Sequence, residues 1–357
     1  MIRRAYSTLD PSVRDVPAAI LPGVPDSAWR LVSLPPLPRE KVTGLLSGLP
    51  VDVVLPASRA RKDVFAALSD ADLVLGDWSS DGIGLDADAL GAAPHLAFVQ
   101  QPSVGVQAHD LDALAAAGVP LANVAGFNAV AVAEWVLGSV FSLARWLPWS
   151  QDEVRAGRWP VQDEILGRGA TEVAGRRVGL VGFGPIGQAL AARFAALGCP
   201  VSYWTRRRRD PADEHGATYR ELDRLLSSSD VLVNVIALGP QTRGLLDGGR
   251  LALLPDGAFL ICASRGGIVD EEATAAALAS GRLAGAAFDV FAAEPLAAES
   301  PLRASDRVLL TPHVAGTTRQ SMARLVAGIV ANLARAVSGE PVRDVVNGVG
   351  PTVRRRR

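Results

Sequence analysis

Short apolar runs alternate along this chain with polar intervals of helix length. Arg30-Leu-Val-Ser-Leu34, Val51-Asp-Val-Val-Leu55, Ala71-Asp-Leu-Val-Leu75 and Leu96-Ala-Phe-Val-Gln100 each have the length and side chains of a buried strand. Helical material such as Arg61-Lys-Asp-Val-Phe-Ala-Ala-Leu68 lies between them. A further strand fits Pro120-Leu-Ala-Asn123, followed by the loop Val124-Ala-Gly-Phe-Asn128 and a long helix from Ala129 to Leu143. Strands that alternate with helices predict a parallel sheet with helices on its faces.

A second series begins at Arg177. Its strands are Val178–Val181, Val201–Trp204, Val231–Ile236, Ala258–Cys262, Ala286–Asp289 and Val308–Leu310, and helices fit Ile186–Ala196, Leu222–Ser227, Asp270–Ser280 and Arg319–Val337. This repetition predicts a doubly wound sheet. The last helix follows completion of that series and is free to return to the first domain. Between the two series, Trp146–Thr171 mixes Pro148, Gly157, Pro160, Gly167 and Gly169 with charges, which suits a crossing between domains. Residues 1–28 carry Pro11, Pro17, Pro22 and Pro25 and read as an extended leader, and Pro351–Arg357 read as a solvated, disordered basic tail.

Composition narrows the function. The 357 residues are enough for two domains with real cores, and 49% hydrophobic with 20% charged residues describes a folded protein. A formal net charge of -1 gives no global field toward nucleic acid or an anionic membrane, and neither is expected as a partner. Cys199 and Cys262 are too few for a disulfide framework and too far apart for a metal site; they fit a reducing cytoplasm, and Cys262 reads as a buried strand residue. No apolar signal region follows Arg3 and Arg4, and the apolar stretch 130–143 is interrupted by Glu134 and short for a bilayer.

The candidate chemistry starts at Val178-Gly-Leu-Val-Gly-Phe-Gly-Pro-Ile-Gly187, a strand running through a glycine turn into a helix. Such a turn cradles a pyrophosphate: Gly182 for the sharp turn, Gly184 for close approach of the phosphates, Gly187 for helix–strand packing. With 35 glycines in the chain the pattern itself is weak, and the flanking strand and helix are what give it meaning. At the end of the next strand, where an acidic residue would hold the ribose of NAD, stand Thr205 and Arg206 in Tyr203-Trp-Thr-Arg-Arg-Arg-Arg-Asp210. A hydroxyl and guanidinium groups suit a 2'-phosphate, so NADP is expected, with NAD as the alternative. The competing reading is an exposed basic turn partly neutralised by Asp210, Asp213 and Glu214.

Three later loops follow predicted parallel strands and so face a ligand crevice. Arg265, in Ser264-Arg-Gly-Gly-Ile-Val-Asp270, offers a guanidinium to a carboxylate and its neighbouring carbonyl. Glu294 and His313 offer a carboxylate and an imidazole that together donate a proton as hydride reaches the carbonyl carbon.

These separated motifs, in this order, resemble the D-isomer-specific 2-hydroxyacid dehydrogenase family over nearly everything after the leader. The resemblance implies an α/β fold of two Rossmann-like parallel-sheet domains. One is a flavodoxin-like substrate domain over 29–148 and 317–350, the other a doubly wound dinucleotide-binding domain over 149–316; 1–28 is an extension and 351–357 a tail. It makes Arg265 the carboxylate-binding arginine and Glu294–His313 the acid/base pair. It makes Gln100–Val106 a substrate loop whose Val104 and Gly105 amides bind the substrate carboxylate. Asn123, Asn128, Ala133 and Glu134 resemble the family's lead into the helix beside the active site. Cofactor contacts fall on Gly182, Gly184, Pro185, Ile186, Gly187, Thr205, Arg206, Ala237, Ser264, Asp289 and Gly316. Two departures bear on substrate and cofactor preference: Gln107 stands where the family often has Asp, and Val235-Ile-Ala-Leu238 where it has His-x-Pro-Leu.

The Thr205-Arg206 pair resembles NADP-preferring glyoxylate and hydroxypyruvate reductases. The implied reaction is NAD(P)H-dependent reduction of a small 2-oxo acid to the D-2-hydroxy acid, and its reverse, by a cytoplasmic homodimer joined through the arm near Ala129–Trp159. The alternatives are formate, phosphite or phosphoglycerate dehydrogenases of the same family, or a dinucleotide-sensing corepressor-like protein.

Overall fold

The computed structural model describes residues 28–79 and 82–356, so the proline-containing leader lies outside the described residues. The chain divides into one unit of Met1–Phe127 with Arg319–Arg357 and another of Asn128–Thr318.

In the first unit the strands are β1 (Trp29–Ser33), β2 (Val51–Val54), β3 (Leu73–Leu75), β4 (Phe98–Gln100) and β5 (Leu121–Ala122). They pair in parallel in the order β2-β1-β3-β4-β5. Helices α1 (Arg39–Leu45), α2 (Arg61–Leu68), α3 (Ala87–Gly91) and α4 (Leu111–Ala116) connect them, and α12 (Arg319–Ser338) returns from the far end of the chain. Alternate strand residues point to opposite faces. Leu31 accordingly packs with Val42 of α1 and Leu325, Ile329 and Leu333 of α12, while Val32 packs with Val64 and Leu68 of α2, Ala89 of α3 and Leu114 of α4.

The second unit contains α5 (Ala129–Ala144), α6 (Leu147–Arg155), α7 (Gln162–Gly167), β6 (Val178–Val181), α8 (Pro185–Ala196), β7 (Val201–Trp204), β8 (Thr218–Tyr219), α9 (Leu222–Leu226) and β9 (Val231–Asn234). It continues through α10 (Gly248–Leu251), β10 (Ala258–Cys262), α11 (Glu271–Ala279), β11 (Leu283–Phe288) and β12 (Val308–Leu310). Its sheet is parallel in the order β12-β11-β10-β9-β6-β7-β8. The chain runs outward from β6 through β7 and β8, then crosses back to β9 on the other side of β6. The switch point, where ligands bind beyond the carboxyl ends, therefore lies between β6 and β9. Cys262 is buried in β10, and burial raises its thiol pKa.

Three features differ from the sequence reading. Helix α5 belongs to the second unit, so the exchange falls at Phe127/Asn128 rather than near residue 148. Val132, Val136 and Val140 pack with Leu180, Phe194 and Phe259, and a helix this apolar carries no stripe to say which sheet it covers. The stretch expected to be an irregular crossing holds α6 and α7, with Arg168 over the rings of Trp146 and Trp149 at 4.9 and 3.9 Å. The tail makes specific contacts over its described residues 351–356: Val353 is buried in the first-unit core, and Arg355 lies over the Trp29 ring and bonds the buried Asp72 at 2.9 Å. A carboxylate removed from solvent needs hydrogen-bonding or charged partners, and this one draws a guanidinium from near the end of the chain.

His109 is buried in the first unit, its Nδ1 accepting the Leu85 N–H at 3.2 Å and its Nε2 meeting Gln101 Oε1 at 2.9 Å. Burial pushes its pKa from 6.5 down to about 4, against the pull of Asp77. The unfolded chain therefore binds a proton below pH 6.5 that the folded chain refuses until about pH 4. Stability is whole above the unfolded value and falls between the two, by about 3 kcal/mol at ~1.4 kcal/mol per unit. Urea denaturation between pH 7 and 4 is expected to show this loss, and His109→Gln to flatten it; equal slopes for both proteins would contradict the assignment.

Candidate active site

The cofactor cradle is built from the carboxyl ends of β10, β9, β6 and β7, which are consecutive neighbours in the sheet. Gly182 ends β6 at φ +106°, a conformation that a side chain would strain. A Cβ on Gly187 would lie 2.6 Å from the Gly182 carbonyl, so α8 can start this close to the strand only with glycine there. A Cβ on Gly184 would meet nothing within 4 Å, and Pro185 opens the twelve-residue helix α8 with Ile186 next. An open backbone at the amino end of a helix fits an approaching pyrophosphate.

Thr205 and Arg206 follow β7. The Thr205 hydroxyl donates to the Arg207 carbonyl at 2.6 Å, and Arg206 donates to Gln241 Oε1 at 2.9 Å. Ala237 is exposed just past β9, and Ser264 is buried just past β10. Gly316 sits where a Cβ would come within 2.7 Å of Asn128 Nδ2. The sequence reading did not single out Gln241 or Arg209, whose Nε donates to the Phe183 carbonyl within the glycine turn at 3.2 Å. The unbroken run of arginines was a signal for Arg209; Gln241, 35 residues from Arg206, gave none.

The candidate reacting groups come from three adjacent strands, β10, β11 and β12, whose following loops must leave the sheet side by side. Those loops carry Arg265, Glu294 and His313 respectively. Glu294 Oε1 accepts the Phe291 N–H at 3.0 Å, and Oε2 meets His313 Nδ1 at 2.8 Å. A carboxylate accepts, so Nδ1 is the donor and Nε2 is the nitrogen left to exchange a proton. Arg265 is half-buried, with Nη1 on the Ser264 carbonyl at 2.8 Å. Burial lowers its pKa, and the Glu294 charge opposes that shift.

Asp289, only 2% exposed, organises the His313 loop. Its Oδ1 accepts the Thr311 hydroxyl at 2.6 Å and the Val314 N–H at 2.8 Å, its Oδ2 accepts the Ala315 N–H at 2.8 Å, and its carbonyl accepts the His313 N–H at 2.8 Å. His313 is thereby kept at φ +56°, a left-handed conformation that an unsupported histidine seldom adopts. Burial raises the Asp289 pKa against these donors and the nearby His313.

Val104 and Gly105 lie in the first unit, in the loop beyond β4. Asn123 Nδ2 donates to the Val104 carbonyl at 2.9 Å.

Gly266 couples the Arg265 loop to the Glu294 loop, because a Cβ there would lie 1.8 Å from the Phe291 carbonyl. Gly266→Ala must push the two loops apart. Displacements of about 1 Å can cost on the order of 100-fold in rate, and a loss of that size in kcat/KM is expected, read by steady-state kinetics. Near-normal kcat/KM would show that the contact is not needed.

Residues 137–315 match the family described as D-isomer specific 2-hydroxyacid dehydrogenase, NAD binding domain. The chain is 38% identical over 259 residues to (S)-sulfolactate dehydrogenase of Chromohalobacter salexigens, covering 71% of this chain and 81% of that one. It is 32% identical over 264 residues to D-3-phosphoglycerate dehydrogenase of Archaeoglobus fulgidus, covering 74% of this chain and 49% of that one. The first-matched phosphoglycerate dehydrogenases are spanned over about half to three-fifths of their length, 49% and 62% in two of them. The crystal structure of NADPH-dependent glyoxylate/hydroxypyruvate reductase from Sinorhizobium meliloti, in complex with NADP and malonate, superposes with a TM-score of 0.77 at 28% identity, covering 93% of this chain and 100% of that one. Matched sequence, matched fold and the loop order around the second sheet converge, and the chain belongs to the D-isomer-specific 2-hydroxyacid dehydrogenase family.

Proposed function

We propose that this chain reduces a small 2-oxo acid of the glyoxylate or hydroxypyruvate kind to the D-2-hydroxy acid with NADPH, and catalyses the reverse oxidation. The observation that carries the reading is the 2.8 Å contact of Glu294 with His313 Nδ1 beside the half-buried Arg265. Arg265 binds the substrate carboxylate and draws electron density toward the carbonyl oxygen. His313, from Nε2, gives that oxygen its proton, and Glu294 stabilises the imidazolium before transfer and holds the ring in one orientation. In the oxidising direction the same nitrogen takes the hydroxyl proton. Within the first unit, the Val104 and Gly105 amides are N–H donors of the kind that bind a carboxylate.

Gly182, Gly184, Pro185, Ile186 and Gly187 would hold the dinucleotide's pyrophosphate, and Thr205 and Arg206 its ribose phosphate. When bound, the reduced cofactor supplies the hydride. The chain acts as a homodimer in this reading. Leu147, Val154, Trp159, Val161 and Leu166 expose apolar surface along one arm, Trp159 to 82%, which a second copy would cover.

His313→Ala is expected to lower kcat by about 10²–10⁴-fold while leaving NADPH affinity unchanged in a fluorescence titration. Turnover close to wild type would remove His313 from proton transfer. Glyoxylate, hydroxypyruvate, 3-sulfolactate, 3-phosphoglycerate and formate, each tested with both cofactors, decide the substrate class; no turnover of any 2-oxo or 2-hydroxy acid would favour a dinucleotide-sensing protein instead.

The cofactor assignment has its own check. Arg206→Ala is expected to reduce kcat/KM with NADPH by about tenfold or more, the value of a charge-assisted contact, with little change for NADH. An equal loss for both cofactors would show that Arg206 does not read the 2'-phosphate.

A further inference from the structure

We infer that Gln101, backed by His109, is a positioning residue that sets the donor face of the Val104–Gly105 loop. The inference rests on the reading of that loop as a carboxylate site and names what aims it. Gln101 is buried just past the end of β4. Its Nε2 donates to the Asp77 carbonyl and to Ser103 Oγ, both at 2.9 Å, which uses both amide hydrogens. Its Oε1 faces His109 Nε2 at 2.9 Å. Because His109 Nδ1 accepts the Leu85 N–H, the ring proton sits on Nε2 and donates to Oε1. The carboxamide is therefore fixed in one orientation, since a flip would set donor against donor.

The chain of bonds runs outward from there. Ser103 Oγ, having accepted from Gln101, donates its own hydrogen to the Gly105 carbonyl at 2.8 Å. Asn123 holds the Val104 carbonyl, and the Val124 N–H approaches the Ser103 carbonyl at 3.4 Å. In a trans peptide the N–H points opposite to the C=O. Three consecutive carbonyls turned toward the protein thus turn the N–H groups of Val104, Gly105 and Val106 away from it. Successive N–H groups presented together form an anion-binding concavity.

The inner end of the relay is equally constrained. The Asp77 carboxylate accepts from Ser79 N and Oγ, Ile83 N and Arg59, which fixes the residue whose carbonyl receives Gln101. Gly76 makes room for the carboxamide, since a Cβ there would lie 2.0 Å from Gln101 Oε1. The buried relay ends on a half-exposed glycine carbonyl in the substrate loop, which marks a positioning role beyond packing.

Two measurements test this. Crystal structures of Gln101→Leu and Ser103→Ala read the geometry without reference to catalysis: the Gly105 carbonyl is expected to rotate out, and an unchanged 103–106 backbone in both would overturn the inference. Kinetics with glyoxylate read the consequence. In Ser103→Ala, KM should rise about tenfold with kcat within about threefold, and Ser103→Thr, which keeps the hydroxyl, should restore it. A fall in kcat with unchanged KM, or no rescue by threonine, would also overturn it. Failure of the wild-type chain to reduce any 2-oxo acid would sink the functional reading alone and leave the crystallographic arm to decide this one.

Discussion

A buried carboxylate bonded by the chain's own hydroxyl and N–H donors holds the candidate reacting site in place. Asp289 accepts a hydroxyl and two backbone N–H groups with its side chain and another N–H with its carbonyl, all from Thr311–Ala315. Those donors offset part of the cost of removing its charge from water, and burial still raises its pKa. Losing any of them would raise that cost, which favours the loop arrangement in which His313 reaches Glu294. A strained histidine backbone persists because its surroundings leave it no alternative.

The first unit solves the same problem with different chemistry. Loops at the carboxyl ends of parallel strands have lost their ladder partners and must find others without closing over the ligand side. Asp77 beyond β3 and Gln101 beyond β4 do this with a carboxylate and a carboxamide, and His109 completes the set in neutral form. At the amino end of the same sheet Asp72 plays a different part, binding Arg30 N and the Arg355 side chain and so tying Arg355 to β1. Polar residues at one end of the strands order functional loops, while those at the other end close the unit.

The alternation of apolar runs made both sheets legible because each parallel strand is buried on two faces and stands out from its surroundings. Arg265, Glu294 and His313 were legible as loop residues after such strands, and adjacency of β10, β11 and β12 is what turns three separate loops into one cluster. The remainder depended on contacts between distant residues. The two-residue strand β8 is too short to show a period, and α6 and α7 bury too little to carry a stripe. Arg355 looked like a solvated tail residue because its partner lies 283 positions away. Gln101 read only as part of the Gln100–Val106 loop segment, and nothing local links it to His109 or Gly76. Helix α5 was legible as a helix but not as part of the second unit.

The basic turn after β7 admitted two readings, and its side-chain contacts bear on them. If Arg206–Arg209 were a solvated turn partly balanced by neighbouring acids, some of Asp210, Asp213 and Glu214 should be drawn into ion pairs. Glu214 is, with Arg208 at 2.8 Å, but Asp210 instead caps its own turn through the Ala212 N–H. Arg206 rests on a neutral carboxamide and Arg209 on a backbone carbonyl, so their charges are oriented but not cancelled. Holding like charges together without neutralising them is unfavourable, and it is relieved when an anion arrives. The Thr205 hydroxyl, turned to the Arg207 carbonyl, stiffens the same turn. A ribose bearing only hydroxyls would gain little from such a turn, whereas a phosphate would meet guanidinium groups already fixed in position. That asymmetry is the physical content of the NADP proposal.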